Sequence, residues 1–178
     1  MLNKLLIGLA LVIGAFVAVV ALQPEDYRVS RSISIKAPAS AVFPLLNDFH
    51  NFARWSPWAK LDPNMTTTIE GSAGKGSIYS WKGNSEVGSG RMTITDSQAD
   101  QRVAIDLEFQ EPFASSSKTL FEVQPAADGS SVTWSMAGKN NFVSKAFCLV
   151  MGGMDKMVGP DFEKGLAQLK AAAETAKP

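Results

Sequence analysis

Three side chains in this sequence have the intrinsic chemistry of an acid, a base or a nucleophile: Asp155, His50 and Cys148. Asp155 stands in the run Met154-Asp155-Lys156-Met157. A carboxylate turned from such a run into an apolar interior is desolvated, its pKa rises, and it can then transfer protons near neutral pH. The same side chain facing water is an ordinary charge. His50 titrates in the range of a general base, although a lone histidine after a short helix equally serves as a cap or a surface residue. Cys148 attacks only as a thiolate; its neighbours Phe147 and Leu149 are apolar and no histidine is near it in sequence, so an inert thiol is the plainer reading.

One histidine and one cysteine in 178 residues rule out a multi-histidine zinc site and an intramolecular disulfide. No metal and no cofactor is expected. The stretch Gly71-Ser72-Ala73-Gly74-Lys75-Gly76 invites a phosphate-loop reading but fails it, because Gly-Lys must be followed by Ser or Thr opening a helix. Here Gly76 precedes a strand pattern, so a hairpin turn is expected. Asp62-x-Asn64 and Glu108-x-x-Glu111 lack the ligand density of a calcium loop. Asn140-Asn141 reads as a cap or turn. With 17 basic against 17 acidic residues there is no surplus positive charge for phosphates, so no nucleic-acid partner is expected.

The elements that must hold these residues begin with Leu5 to Leu22, eighteen positions without a charge. As a helix the run spans roughly 27 Å, close to the ~30 Å hydrocarbon core of a bilayer. Residues 1–22 are therefore expected to form a transmembrane anchor, and membrane contact is expected through Leu5 to Leu22. Lys4 before the span and Glu25 and Asp26 after it place the N-terminus in the cytoplasm and the remainder outside, which is the periplasm in a Gram-negative cell. The alternative is a secretory signal cleaved after Val19-Val20-Ala21, giving a secreted domain; the length of the apolar run favours the uncleaved anchor.

Residues 23–26 read as a linker and 27–178 as one domain. Tyr27 to Lys36 alternates as a strand, with Val29, Arg31, Ile33 and Ile35 on one side. A short helix follows at Ala39 to Asp48, then an aromatic, proline-punctuated loop from Asn51 to Pro63. Six more strands are expected: Met65–Glu70, Gly76–Lys82, Glu86–Ser97, Arg102–Gln110, Ser115–Gln124 and Ser130–Ala137. Tight turns make them antiparallel, with one parity apolar and the other polar. Ser144–Met157 and Asp161–Ala173 read as helical, separated at Gly159-Pro160. A one-faced sheet and an amphipathic C-terminal helix bury each other when the sheet wraps the helix.

In this order the elements resemble the helix-grip fold of the SRPBCC superfamily, which includes START lipid-transfer domains, plant pollen-allergen-like proteins and polyketide cyclases. The likeness is nearest to the bacterial polyketide cyclase/dehydrase-like group. It is carried by Arg31-Ser32-Ile33, Ala37-Pro38, Val42-Phe43, Asn47-Asp48-Phe49, Trp55-Ser56-Pro57-Trp58, Asp62-Pro63, Tyr79-x-Trp81-x-Gly83-Asn84, Gly88-x-Gly90-x-Met92, Val132-x-Trp134-x-Met136, the Met154–Met157 run and Asp161-Phe162-Glu163. The resemblance implies an α+β, helix-grip (START-like) domain: a curved antiparallel sheet of about seven strands around a long C-terminal helix, after one N-terminal transmembrane helix.

It also implies a deep apolar cavity between sheet and helix. Trp55, Trp58, Tyr79, Trp81, Met92, Phe109, Phe121, Trp134, Met136, Phe147, Met151 and Met154 are the expected lining, bulky and adaptable enough for a lipid-like ligand. A solid core is the bland alternative for each. Gly88, Gly90, Gly152 and Gly153 leave room for a ligand or allow bends. Three functions follow in order. The first is a membrane-anchored, non-catalytic module holding a hydrophobic small molecule or lipid. The second is a cyclase or dehydratase-like enzyme using a cavity carboxylate such as Asp155. The third is a chaperone-regulator type interaction module using the outer face of the sheet.

Overall fold

A computed structural model describes residues 1–175. Helix α1, Leu2–Ala21, is the apolar run. Strand β1, Asp26–Ile35, leads into the short helix α2, Ala39–Asn47, and a 3-10 turn at Phe49–Arg54. Six strands follow: β2 Thr66–Glu70, β3 Ile78–Lys82, β4 Ser89–Gln98, β5 Arg102–Glu111, β6 Ser115–Ala126 and β7 Gly129–Lys139. Helices α3, Phe142–Met151, and α4, Met154–Thr175, close the chain. The fold is α+β, and the seven strands form one antiparallel sheet in the order β1-β7-β6-β5-β4-β3-β2.

Alternation decides which face of the sheet is inside. On β5 and β6, Val103, Ile105, Phe121 and Val123 are buried, as are Val132, Trp134 and Met136 on β7. The opposite face carries ion pairs, Arg91 with Glu108 at 2.7 Å and Lys118 with Asp106 at 2.6 Å, and the Ser32–Thr133 hydrogen bond at 2.8 Å. Register shifts in the β4–β5 ladder, at Ser89/Gly90 and Ile94/Asp96, add the local twist that a curved sheet needs. Helix α4 lies in the curve and buries Phe162, Leu166, Leu169 and Ala173. Each large apolar side chain buried this way contributes about 1.5–3 kcal/mol relative to exposure.

The helix boundary differs from the sequence expectation. Gly159-Pro160 does not separate two helices; α4 runs through it, and the break falls at Gly152-Gly153. Both glycines are left-handed, with φ of 85° and 100°, and the Gly153 amide donates to the Cys148 carbonyl at 2.7 Å. That ends a helix in the way glycine permits. Pro160 removes only the bond to the Lys156 carbonyl, and both residues are exposed, so water can satisfy it. Asn141 caps α3, its Oδ1 accepting from the Ser144 amide at 2.9 Å.

Candidate functional site

Strand parity and helix phase bring one set of large side chains together on the concave side of the sheet. From the strands come Tyr79, Trp81, Met92, Leu107, Phe109, Thr119, Phe121, Trp134 and Met136; α4 adds Val158 and Phe162. The segment after α2 supplies Phe49, Phe52, Trp55 and Trp58, with Met65, Glu86 and Val87 at the rim. They enclose a cavity of about 230 Å³ with a predominantly apolar lining.

The cavity has a rigid wall. Trp134 stacks on Phe162 with ring centroids 4.0 Å apart and planes 9° from parallel. Trp55 and Trp58 meet Trp134 edge-on at 5.7 and 5.8 Å, and Phe121 lies 5.0 Å away. Aromatic pairs of this kind contribute about 0.5–1.5 kcal/mol beyond area burial. Gly165 permits the packing: a Cβ there would stand 2.8 Å from Trp134 Cζ3 and 3.2 Å from Pro57.

Polar groups around the cavity are few, and most are already occupied. Trp55 Nε1 donates to the Leu45 carbonyl at 2.8 Å and Trp81 Nε1 to the Val87 carbonyl at 3.0 Å. Trp134 Nε1 is buried and has no hydrogen-bond partner among the described residues. An orphaned buried donor costs about 1–3 kcal/mol. Burial pushes the Tyr79 phenol above its ordinary value, which keeps it neutral.

Register locates the cavity along the sheet. Asp26 pairs with Lys139, Gly138 with Ser117, Phe109 with Ser115, and Ser89 with both Glu111 and Lys82. The start of β1, where α1 is attached, therefore shares one end of the sheet with the β3–β4 turn, whose Glu86 and Val87 reach the cavity.

The residues singled out from sequence separate into two groups. Trp55, Trp58, Tyr79, Trp81, Met92, Phe109, Phe121, Trp134 and Met136 line the cavity. Met154 is half-buried against the core beside it. Phe147 and Met151 are elsewhere, more than half exposed on α3, because the glycine break turns that helix away from the sheet. Asp155 is outside as well: 61% of its side chain is exposed, and the hydrogen bonds from Arg31 hold its carboxyl below the ordinary range. His50 is exposed, its Nδ1 2.7 Å from Asp48 Oδ1. Cys148 is partly buried, and desolvation raises its thiol pKa, the opposite of nucleophilic activation.

The glycines flagged as room for a ligand have other work. A Cβ on Gly90 would collide with the Trp81 ring and the Glu108 carbonyl. Gly88 turns the chain against Glu111, and Gly152 and Gly153 end α3. Phe49, Phe52, Val158 and Phe162 were not among the expected cavity residues. For Phe162 the signal existed, since it lies on the apolar stripe with Leu166 and Leu169.

A family model described as polyketide cyclase / dehydrase and lipid transport matches residues 26–174. The chain belongs to this family. Solved structures share its helix-grip fold at low identity. A protein from Thermobifida fusca, known by a solution structure, is 20% identical with a TM-score of 0.61, over 82% of this chain and 92% of that one. The Aha1 dimer protein of Colwellia psychrerythraea is 17% identical with a TM-score of 0.58, over 85% and 99%. The di-domain aromatase/cyclase StfQ of the steffimycin biosynthetic pathway is 8% identical with a TM-score of 0.60, over 84% of this chain and 51% of that one. No curated protein matches the sequence. As a member of the family the chain carries one feature outside the matched residues, the apolar helix α1, which is long and apolar enough to cross a membrane. A signal sequence meets the same description.

Proposed function

We propose that this polyketide cyclase/dehydrase-family chain is a bilayer-anchored binding protein that encloses a hydrophobic or amphipathic small molecule, of the class of single-chain lipids or fused rings. One observation carries the reading. The concave face holds an apolar cavity, one wall of which is Trp134 with its unpaired, buried Nε1, and the carboxylate suited by type to catalysis, Asp155, lies outside it. A cavity of about 230 Å³ is slightly below the usual range of about 300–1,000 Å³ for small-molecule sites. That favours one chain or ring system over a two-chain phospholipid. The unpaired donor favours a ligand with a carbonyl, carboxyl or hydroxyl oxygen at its buried part.

The anchored arrangement draws on α1, which is apolar from Leu5 to its end and leaves nearly all of its surface open. In this reading residues 1–22 span the bilayer, 23–26 link, and 27–178 form the binding domain outside the cytoplasm. The polar outer face of the sheet gives the chaperone-regulator reading no apolar docking patch there.

The test is a fluorescence titration of the full chain in detergent micelles with an environment-sensitive fatty acyl probe. Saturable binding of one probe per chain, displaced by an unlabelled single-chain fatty acid, is expected. A linear, non-displaceable response equal to that of empty micelles would overturn the reading.

A further inference from the structure

Helix α3 has its polarity inverted. At about 100° per residue, Phe142, Val143, Phe147, Val150 and Met151 fall on one half of its circumference, and each is at least half exposed. Its charged residue, Lys145, lies on the opposite half and is buried, with Nζ 3.8 Å from the Glu25 carboxylate of the linker. A helix on a water-facing surface shows the reverse arrangement. The thermodynamic cost of wetting five large apolar side chains calls for a partner that removes them from water.

The identity of that partner follows from what adjoins the helix. Helix α1 packs against α3, and of its own residues only Val20 is buried. The medium that surrounds α1 therefore comes up to α3 where the two helices meet. The same end of the sheet carries Phe113 in the β5–β6 turn, 67% exposed. The Lys145–Glu25 pair ties α3 to the linker on the side away from this apolar face.

We propose that α3 is an interfacial helix, lying apolar face down in the boundary layer of the bilayer that α1 enters, so that the cavity rim at Glu86 and Val87 is held at the lipid surface. The proposal rests on the reading of α1 as a retained membrane span. An amphipathic helix seated this way buries its apolar face about 5–10 Å into the headgroup and acyl boundary. It gives the cavity a direct route for ligands dissolved in the membrane. A second copy of the chain docking through α3 is the competing occupant.

The experiment uses the full chain reconstituted in phosphatidylcholine/phosphatidylglycerol vesicles, with Cys148→Ser removing the native thiol. Single cysteines at Val150→Cys, Ile13→Cys and Asp100→Cys carry an environment-sensitive fluorophore, and quenching is read from lipids brominated at shallow and deep acyl positions. Asp100 is an exposed turn residue at the far end of the sheet. The expected result is at least threefold stronger quenching at Val150 than at Asp100, greatest with shallow bromines, and strongest quenching at Ile13 with deep ones. Quenching at Ile13 with Val150 no different from Asp100 would overturn the interfacial helix and leave the anchor standing. An unquenched Ile13 would overturn the anchor and, with it, the seating of α3 on the bilayer that α1 enters. Disulfide-linked dimers of the unlabelled Val150→Cys chain on oxidation by dissolved oxygen, with no lipid quenching in the labelled chain, would overturn the interfacial helix in favour of a second copy.

Discussion

Arg31 grips both oxygens of Asp155: Nη1 donates to Oδ1 at 2.8 Å and Nη2 to Oδ2 at 3.0 Å. Its Nε donates to Glu163 at 2.8 Å. Asp155, Gly159 and Glu163 are spaced four apart on α4, so they form one stripe. The guanidinium lies over Gly159, where a Cβ would strike it. Strand β1 is the sheet edge, and this clamp, with Lys170 donating to the Ser34 carbonyl at 2.9 Å, fixes the phase of α4 above it. Phase decides function here, because it determines that Val158 and Phe162 face the cavity while Asp155 faces water.

The clamp makes an acid-limb prediction. The hydrogen bonds from Arg31 lower the folded-state pKa of Asp155 from its ordinary 3.8, against a smaller opposing effect of desolvation. A depressed carboxylate contributes stability that is present above the unfolded value and lost as pH falls through the folded one. Asp155→Asn should therefore lower the melting temperature at pH 7 and flatten its fall between pH 4 and acid. Ligand affinity should stay within about twofold of wild type, since less than 0.5 kcal/mol is expected from a residue outside the cavity. Thermal melts followed by near-UV circular dichroism across pH, with a parallel probe titration, check both parts. A tenfold loss of binding at unchanged stability would return Asp155 to the site.

Trp134→Phe keeps an aromatic ring on Phe162 but replaces the indole by a smaller phenyl and deletes the unpaired donor. A hydrogen bond of about 0.5–1.5 kcal/mol corresponds to a loss of roughly 2–10-fold in affinity for a ligand with an oxygen acceptor. Affinity for a plain hydrocarbon should fall less, while the stability of the empty protein should drop, because the smaller ring leaves a void beside Phe162 and Trp55. Paired titrations with a fatty acid and the matching alkane separate the cases; equal effects on both would show that the indole N–H does not meet the ligand.

Met92→Phe asks whether the space is real. In a solid core the added bulk costs about 1–3 kcal/mol. In a cavity lined by Met92 it is accommodated, so stability should change little while ligand binding falls at least tenfold. Urea unfolding and the probe titration read the two effects.

Gly165→Ala tests the close approach of α4 to the aromatic wall. Glycine to alanine inside a helix ordinarily gains roughly 0.5–1 kcal/mol. Here the new methyl meets Trp134 and Pro57, and crowding of about 1–3 kcal/mol should outweigh the gain. A net destabilisation of about 1 kcal/mol is expected, together with a shift in tryptophan fluorescence from displacement of Trp134. A more stable variant with unchanged emission would contradict this packing.

Most of the fold was legible because β-structure writes itself as alternation. Val103, Ile105 and Leu107, or Val132, Trp134 and Met136, declare one face, and the turn residues between them force antiparallel neighbours. The cavity was legible only in part. Parity assigns Tyr79, Trp81, Met92 and Phe121 to the concave side, whereas helix residues depend on a rotation that only the Arg31 clamp settles. That is why Val158 escaped notice, whereas Phe162 is marked by the apolar stripe it shares with Leu166 and Leu169. Phe147 and Met151 misled for a different reason: an apolar side chain records aversion to water and does not say whether core or lipid provides the shelter. The Gly159-Pro160 pair reads as a breaker in isolation, and the exposure of Pro160 and of Lys156 one turn before it lets water lower the cost.

The central claim is that the concave cavity takes up a hydrophobic guest, and native mass spectrometry of the full chain released from lipid nanodiscs tests it most directly. The account predicts a single adduct of constant mass on the wild-type chain, with one hydrophobic small molecule recovered by extraction, and its loss in Met92→Phe. Bare protein in both samples, or adducts equally abundant in both, would contradict it.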